Sequence, residues 1–387
     1  MGEETVESFT LATPDAVLLD LHERLARTRF PDQPPEAGWD YGADLAYVRE
    51  LCAYWRDAFD WRATEARFNA FPQFVTEIEG ERLHFYHVRS PEPDAVPIII
   101  THGWPGSVAE FLDVMGPLSD PAGHGGDARD AFHVIAPSIP GYGPSGPTRS
   151  RGFSTQSAAR INVRLMELLG YERYIAQGGD WGSQISSLMA ADHPGRVMAL
   201  HLNMILGHPA DPANPAADLS PEDLPYLDWK RAYDANEGGY HAIQSTKPQS
   251  LAYGMTDSPA GLAAWIVEKF KRWSDCGDDI ERSYTKDRLL ENIMLYWVTG
   301  TINSSMRLYY ESIGPGRIVR GPSKVTVPTG HAQFPAEIRR TPRPWAEQVY
   351  TNIVRWTKMP SGGHFAAFEE PELFVEELRA FARPFRS

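Results

Sequence analysis

The residues best suited to chemistry lie in the segment GGDWGS at 178–183. It follows a short apolar run at 174–176 and precedes a helix-like run at 184–193, so a strand, a tight turn and a helix are predicted in succession. Glycines on both sides of Asp180 permit a turn in which neighbouring backbone passes close to the central residue. This pattern is typical of a nucleophile elbow, which raises its central side chain at a helix N-terminus, where negative charge is favoured.

The side chain at the centre of this turn is a carboxylate, where an acyl-transfer enzyme would have a serine hydroxyl. A carboxylate can attack a saturated carbon and leave an alkyl ester on the enzyme, which water must then hydrolyse. Asp180 therefore predicts a substrate whose leaving group is on sp³ carbon, either an epoxide oxygen or a halide. A Gly-X-Asp-X-Gly segment alone fits a solvated turn equally well, so the interpretation depends on the surrounding elements.

A nucleophile of this kind needs a base, and the base needs an orienting acid. His364 follows two glycines in a loop after the last predicted strand, at 352–358, which places it at the same edge of the sheet as the elbow. We therefore expect His364 to be the base. Glu337 follows an earlier predicted strand, at 324–328, and is the candidate acid. Glu347 is a competitor that also fits a surface helix.

The ester carbonyl acquires negative charge when water attacks it, and backbone N–H groups must stabilise that charge. An elbow takes one donor from the residue after the nucleophile, here Trp181, and another from the loop after an earlier strand, here Trp104 in HGWPGS at 102–107. A cis peptide bond is predicted between Trp104 and Pro105. The two tryptophans and Phe334 are also candidate substrate-binding residues, and their rings favour an apolar, aryl substrate.

The elements around these motifs predict an α/β architecture. Apolar runs at 97–101, 133–137 and 197–203 predict strands buried on both faces, and they alternate with helix-like segments. An antiparallel hairpin is predicted ahead of them, with strands at 74–78 and 83–88. The alternation predicts a mostly parallel central sheet with helices on both faces.

Two helical regions accompany this core. Amphipathic helices are predicted at 14–27 and 47–59, in an aromatic-rich segment that we expect to wrap the main domain. A later region with clear helices at 260–273 and 287–311 predicts a cap over the carboxyl ends of the strands, where ligands bind in such sheets. The predicted parts are an N-terminal segment (1–75), a first core part (76–205), a helical cap (206–321) and a second core part (322–387).

Composition disfavours several classes of partner. The 387 residues carry a formal net charge of −14, which argues against binding to nucleic acid or anionic membranes. Two cysteines, Cys52 and Cys276, provide no disulfide framework and are typical of a reducing compartment. The N-terminus lacks the apolar core of a signal peptide, and no apolar run reaches the length of about 18 residues that suggests a membrane span. A cytoplasmic protein is therefore expected.

Beyond single motifs, the chain resembles the microsomal-type epoxide hydrolases along nearly its whole length. The resemblance rests on the elbow and on the motifs HGWP at 102–105, TGTI at 299–302, PTG at 328–330, GGHFAAFEEP at 362–371, RFP at 29–31 and NAFPQF at 69–74. The membrane-anchoring N-terminal helix of the mammalian members has no counterpart in this sequence. We therefore expect a soluble bacterial relative.

The resemblance implies the α/β-hydrolase fold and a hydrolase that opens an epoxide to a vicinal diol without a metal or organic cofactor. Its motifs match Asp180 to the nucleophile, His364 to the base and Glu337 to the charge-relay acid. The expected partners are a small epoxide and water. The oligomeric state stays open, with a homodimer among the options.

Two tyrosines of the cap hold and protonate the epoxide oxygen in that family. Tyr240, in EGGYH at 237–241, matches one of them. Tyr309 matches the other, and Tyr310 beside it leaves a one-residue alternative open. Only the resemblance distinguishes these residues from ordinary packing tyrosines.

The sequence leaves two alternatives to an epoxide hydrolase open. Haloalkane dehalogenases share the fold, the Asp nucleophile and the Asp-Trp pair, whose indole N–H can hold a halide, although the two cap tyrosines favour an epoxide. A non-catalytic binding protein of the same fold is disfavoured by the intact set of Asp180, His364 and Glu337. The pathway is also open, because bacterial relatives serve both the catabolism of aromatic epoxides and natural-product biosynthesis, including that of enediyne antibiotics.

Overall fold

A computed structural model describes residues 4–317 and 321–386. Within these residues, nine strands form one sheet and fifteen α-helices pack around it. The strands are β1 (Glu7–Phe9), β2 (Gln73–Ile78), β3 (Glu81–Val88), β4 (Val96–Thr101), β5 (Phe132–Pro137), β6 (Tyr174–Gly178), β7 (Val197–Leu202), β8 (Thr329–Gln333) and β9 (Ile353–Lys358). The helices are α1 (Asp15–Ala26), α2 (Leu45–Asp57), α3 (Trp61–Phe68), α4 (Leu112–Ser119), α5 (Thr155–Leu168), α6 (Asp180–Asp192), α7 (Pro225–Glu237), α8 (Gly239–Thr246), α9 (Pro248–Asp257), α10 (Pro259–Trp273), α11 (Lys286–Thr299), α12 (Ile302–Ile313), α13 (Arg343–Ala346), α14 (Ala366–Glu369) and α15 (Pro371–Ala382).

The sheet is mostly parallel, as predicted. Its strand order is β1-β2-β3-β5-β4-β6-β7-β8-β9, and the six strands from β5 to β9 in that order run parallel to one another. The hairpin of β2 and β3 extends the sheet antiparallel to β5, and β1 pairs with β2 at the edge. The consecutive side chains of Ile98, Ile99 and Ile100 are all fully buried. Because successive side chains point to opposite faces of a strand, helices cover this sheet on both sides.

The strand predicted at 324–328 lies elsewhere. β8 begins at Thr329, whereas Val325 forms only an isolated bridge with Tyr350. The sequence of β8 lacks the apolar run that marks its neighbours, although most of its residues are buried. The ring of Phe381 packs directly on Gly330, where a Cβ atom would lie 2.5 Å from it. A search for runs of apolar side chains therefore misses β8, because at Gly330 the strand packs through its backbone against the Phe381 ring.

The single helix predicted at 287–311 is two helices. α11 ends at Thr299 and α12 begins at Ile302. Gly300 between them has a φ of 62°, in the left-handed region that glycine adopts readily and that commonly ends a helix. The break redirects the chain, and α12 packs against α8 and α9.

In the described part of the chain, the helices α7 to α12 all come between β7 and β8, and they are called the helical insertion below. No helix in those ranges is both long enough and apolar enough to cross a bilayer. The division of the chain into four parts, with boundaries at 75, 205 and 321, stays a prediction.

A cluster of buried and half-buried charges joins the N-terminal helices to the helical insertion. Arg67 of α3 donates hydrogen bonds of 2.8 and 2.7 Å to the two carboxylate oxygens of Glu291 in α11. Arg67 also pairs with Asp113 of α4, and Arg288 of α11 pairs with both Asp113 and Glu291. The N-terminal segment, the sheet-flanking helix α4 and the insertion are thus held together by one network.

The helix α6 starts directly after β6 and lies very close to the end of β4. A Cβ atom built on Gly182 would lie 1.8 Å from the carbonyl oxygen of Thr101, and one built on Gly178 would lie 2.1 Å from the carbonyl oxygen of Gly182. Both contacts are with backbone atoms, which cannot rotate away as a side chain can. The helix can therefore occupy this position only with glycine at both sites.

The substitution Gly182→Ala should lower the free energy of unfolding by about 1–3 kcal/mol or more, because the added methyl group must displace the backbone at Thr101. Gly254→Ala in α9 is the matched control, since no described atom outside its own turn of the helix lies within 4 Å of a Cβ atom built there. We expect that control to be neutral or to stabilise by about 0.4–1 kcal/mol. Urea unfolding of both variants measures the difference, and equal midpoints would contradict the close packing.

Candidate active site

Asp180 is the first residue of α6 and follows β6 after a single glycine. Its φ of 50° lies in the left-handed region, which few residues other than glycine adopt. The carboxylate lies over the loop that follows β4, where a Cβ atom on Gly103 would come within 2.2 Å of Asp180 Oδ1. The strand, the sharp turn and the helix predicted around Asp180 are therefore present, and the close packing of α6 maintains the strained turn.

The backbone N–H of Trp104 donates a 2.8 Å hydrogen bond to Asp180 Oδ1. Trp104 is fully buried, and its peptide bond to Pro105 is cis, as predicted. Trp181 belongs to the first turn of α6, where backbone N–H groups have no partner within the helix. The two predicted donors thus flank the carboxylate from a loop and from a helix N-terminus.

His364 lies between Asp180 and Glu337. Its Nε2 atom is 3.3 Å from Asp180 Oδ2, and its Nδ1 atom is 2.8 Å from Glu337 Oε1. The backbone N–H of Arg339 donates to the same Glu337 oxygen at 3.1 Å, and a bridge between Ala336 and Gly363 joins the two loops. The three side chains predicted from separate parts of the sequence therefore form one continuous chain of contacts.

The charges around His364 determine its protonation. Burial alone would lower its pKa, but the negative charges and hydrogen bonds of Glu337 and Asp180 outweigh burial and raise the pKa of His364 well above its ordinary value. The imidazole is consequently held as a cation between two carboxylates. Removal of either negative charge would lower the pKa and favour the neutral ring.

A cavity of about 270 Å³ opens beside Asp180, between the sheet and the helical insertion. Its walls are strongly aromatic, with Trp181 from α6, Tyr233 from α7, Tyr240 from α8 and Tyr309 from α12. A flat, apolar molecule placed there would contact the carboxylate and the tyrosine rings together.

The rings of Tyr240 and Tyr309 are fixed by aromatic packing. Tyr240 stacks on Trp104 with 5.5 Å between centroids and an angle of 6°, and Tyr309 meets Trp181 edge to face at 4.7 Å and 81°. The two tyrosine rings are 6.0 Å apart. Burial raises the pKa of both phenols, and the nearby charge of Asp180 adds to the effect, so both hydroxyls stay protonated at neutral pH.

Two further residues predicted to bind substrate lie behind the cavity wall. Trp104 is covered by the ring of Tyr240 and does not itself line the large cavity. Phe334 is fully buried, and its ring packs on Gly362 in the loop of His364, where a Cβ atom would lie 2.9 Å from it. Both side chains pack behind residues of the site. Of the three residues predicted to bind substrate, only Trp181 lines the cavity.

The competing residues lie apart from the cavity. Glu347 is exposed and forms an ion pair of 2.9 Å with Arg343. Tyr310 does not line the cavity, and the guanidinium of Arg317 lies 5.3 Å above its ring.

Sequence reasoning missed the contribution of α7. Tyr226, Trp229 and Tyr233 stack in succession along one face of this helix and line the cavity. Their spacing of three and four residues is the helical signal that could have identified them. The hydroxyl of Tyr233 is buried and lies beside the hydroxyl of Tyr240 at the cavity.

Charged side chains reach the cavity as well. Lys230 pairs with Asp234, and Arg339 is a further lining residue. Across residues 4–317 and 321–386, no group of three or more His, Cys, Asp or Glu side chains is placed to hold a metal ion.

Two family profiles match this chain, one over its N-terminal part and one over most of the sheet and part of the helical insertion. A profile described as "Epoxide hydrolase N terminus" matches residues 6–111, and one described as "alpha/beta hydrolase fold" matches residues 96–275. "Epoxide hydrolase 1" of Sus scrofa is 40% identical to this chain, over 98% of this chain and 89% of that protein. The match therefore covers the N-terminal segment, the sheet and the helical insertion together.

Solved structures give the same result. The juvenile hormone epoxide hydrolase of the silkworm Bombyx mori superimposes with a TM-score of 0.89 at 32% identity, covering 99% of this chain and 95% of that one. The epoxide hydrolase of Aspergillus niger gives a TM-score of 0.86 at 30% identity, covering 98% of this chain and 96% of that one. The predicted fold is confirmed by these likenesses.

The substitution Glu337→Gln should lower the pKa of His364, because it removes a negative charge that raises this pKa. An NMR titration of the imidazole, assigned by its loss in His364→Ala, measures the change. Glu347→Gln is the matched control and should leave the titration unchanged, since its carboxylate pairs with Arg343 at the surface. An equal response to both substitutions would contradict the assigned contact.

Proposed function

The chain belongs to the epoxide hydrolase family of the α/β-hydrolase fold and is an epoxide hydrolase, and we propose that it works in two steps through an ester on Asp180. The observation that carries the proposal is the chain of contacts from Glu337 through His364 to Asp180, at the wall of an aromatic cavity. This arrangement supplies a nucleophile, a base and an orienting acid.

In the first step, the epoxide occupies the 270 Å³ cavity with its oxygen hydrogen-bonded by Tyr240 and Tyr309. Asp180 Oδ1 already accepts the hydrogen bond from Trp104, so Oδ2 is the attacking atom. Attack on one ring carbon breaks the bond from that carbon to the epoxide oxygen. The developing alkoxide is more basic than a phenolate, and it takes a proton from a tyrosine hydroxyl.

In the second step, His364 removes a proton from water, which attacks the ester carbon. The negative charge that forms on Oδ1 is stabilised by the backbone N–H groups of Trp104 and Trp181. Esterification removes the charge of Asp180 and so lowers the pKa of His364. His364 then releases its proton to solvent and is neutral at the stage of the reaction that requires a base, while the contact with Glu337 maintains the orientation of the ring.

The shape and lining of the cavity favour an apolar, aryl epoxide. Trp181, Tyr226, Trp229 and Tyr233 offer ring faces to such a substrate. Catabolism of aromatic epoxides and natural-product biosynthesis of the enediyne type, a homodimer and a cytoplasmic location all stay predictions. The relatives are named epoxide hydrolases, so neither haloalkane dehalogenation nor a non-catalytic role is favoured.

Replacing Tyr240 or Tyr309 by phenylalanine should slow ester formation by about 10- to 100-fold, because each removes one hydrogen bond to a developing charge. Tyr310→Phe is the matched control and should react at the rate of the wild type, since its ring lies outside the cavity. Single-turnover kinetics with styrene oxide give the rate. A slow Tyr310→Phe variant beside a normal Tyr309→Phe variant would reverse the assignment of the second tyrosine.

The substitution His364→Gln should stop the reaction after ester formation, because no base remains to activate water. Mass spectrometry of the intact protein, mixed with styrene oxide, should then show an adduct with the mass of one epoxide. Asp180→Ala should show neither adduct nor diol. Diol formation by Asp180→Ala at the wild-type rate would refute the ester mechanism.

A further inference from the structure

A second, small cavity lies on the other side of Asp180. Its volume is about 20 Å³, and the polar residues that line it include His102, Glu110, Gln177 and His364. Among the described residues, Asp180 alone lines both this cavity and the large aromatic one. The nucleophile therefore forms the partition between two separate spaces.

The size of the small cavity fits one water molecule. A buried water requires about 10–15 Å³ of volume measured in this way, together with two to four polar partners. The cavity of about 20 Å³ meets the first requirement and excludes an organic substrate. Its polar lining meets the second.

The side chain of Gln177 lacks one hydrogen bond. Its Nε2 atom donates to Asn203 Oδ1 at 2.9 Å, which fixes the amide orientation, and its Oε1 atom has no partner among the described residues. Gln177 is 1% exposed, so bulk water cannot supply the missing donor. Buried acceptors are nearly always satisfied in native proteins, and a water in the small cavity is the available donor.

Glu110 also lines the small cavity, and its carboxyl group packs against Gly106. A Cβ atom on Gly106 would lie 1.7 Å from Glu110 Oε1, so the carboxyl group occupies the space that a side chain at position 106 would fill. Burial raises the pKa of Glu110 to about 8; His364 opposes this rise, and Asp180 and Glu369 add to it. At neutral pH the group therefore carries a proton and can both donate and accept a hydrogen bond.

We propose that the small cavity holds the water that hydrolyses the Asp180 ester, and that Gln177 and Glu110 bind this water beside His364. The inference rests on the ester mechanism proposed above. The epoxide reaches Asp180 from the aromatic cavity, and the water waits on the opposite face of the carboxyl group. The two reactants of the overall hydrolysis therefore never share one space.

The hydrolytic step balances in atoms and protons. The water oxygen bonds to Cγ of Asp180 while one water proton passes to His364 Nε2. The tetrahedral intermediate then collapses with cleavage of the Cγ–Oδ2 bond, and the departing alkoxide takes the proton from His364. The second water proton remains on the new Asp180 carboxyl group and returns to the tyrosine phenolate left by the first step. His364 regains from solvent the proton that it released when the ester formed, so the resting state is restored.

The test is a rapid-quench single turnover with styrene oxide, in which ester formation and ester hydrolysis are measured separately. Gln177→Leu should form the ester within about twofold of the wild-type rate and hydrolyse it about 10- to 100-fold more slowly, so that the adduct accumulates. Gln184→Leu makes the same change on the wall of the large cavity. Any effect of that control should fall on ester formation, with the hydrolysis rate as in the wild type.

Glu110 provides a second pair of variants. Glu110→Leu should slow hydrolysis, and Glu110→Gln, which keeps the shape and the hydrogen-bonding capacity, should restore much of the rate. Normal ester formation in each variant shows that the protein is folded. Wild-type hydrolysis rates in both Gln177→Leu and Glu110→Leu would overturn the inference and leave the ester mechanism intact.

A crystal structure of the wild type tests the same point without a variant. Density for a water within hydrogen-bonding distance of Gln177 Oε1 and His364 is expected in the small cavity. An empty cavity would overturn the inference. Failure of His364→Gln to give any adduct would instead refute the ester mechanism itself, so the two failures are distinguishable.

Discussion

The geometry of the site depends on the close packing of the backbone around the turn at Asp180. Gly178 and Gly182 lie against backbone atoms, and Gly103 lies against the carboxylate itself. Because these contacts allow no side chain, α6 can approach β4 closely enough to hold Asp180 at a φ of 50°. The position of the carboxylate relative to the Trp104 N–H and to His364 follows from this packing, so the geometry of the site is a property of the sheet and not of a flexible loop.

The protonation states of the groups in the site depend on its burial and on the charges that it contains. His364 is a cation between Asp180 and Glu337, and these three groups leave one net negative charge. Glu110 close by has a raised pKa chiefly because it is buried; the positive charge of His364 opposes this rise, and the negative charge of Asp180 adds to it. Formation of the ester removes one negative charge, and release of a proton from His364 restores the balance. Proton transfer and covalent chemistry are thereby coupled through the charges of Asp180, His364 and Glu337.

Local signals in the sequence predict most of the central strands and part of the candidate site. Glycines around Asp180 and the loop position of His364 are visible in the chain itself, and apolar runs identify the buried strands. The choice of Glu337 over Glu347 depends on which carboxylate meets an imidazole in space, which periodicity does not encode. The polar strand β8 was displaced in the prediction because its burial comes from a ring packed on Gly330. A glutamine inside a strand, such as Gln177, gives no sign in the sequence that it borders a cavity.

The charge network of Arg67, Glu291 and Asp113 has a consequence for how the protein is made. Arg67 lies 224 positions before Glu291, and Trp55 of α2 lies 239 positions before Met294, to which its indole donates a hydrogen bond. During translation the N-terminal helices leave the ribosome first, yet their partners in α11 are synthesised much later. The contacts between α2 and α11 can therefore form only after α11 has left the ribosome. The N-terminal helices thus reach their final contacts with the helical insertion only after most of that insertion has been synthesised.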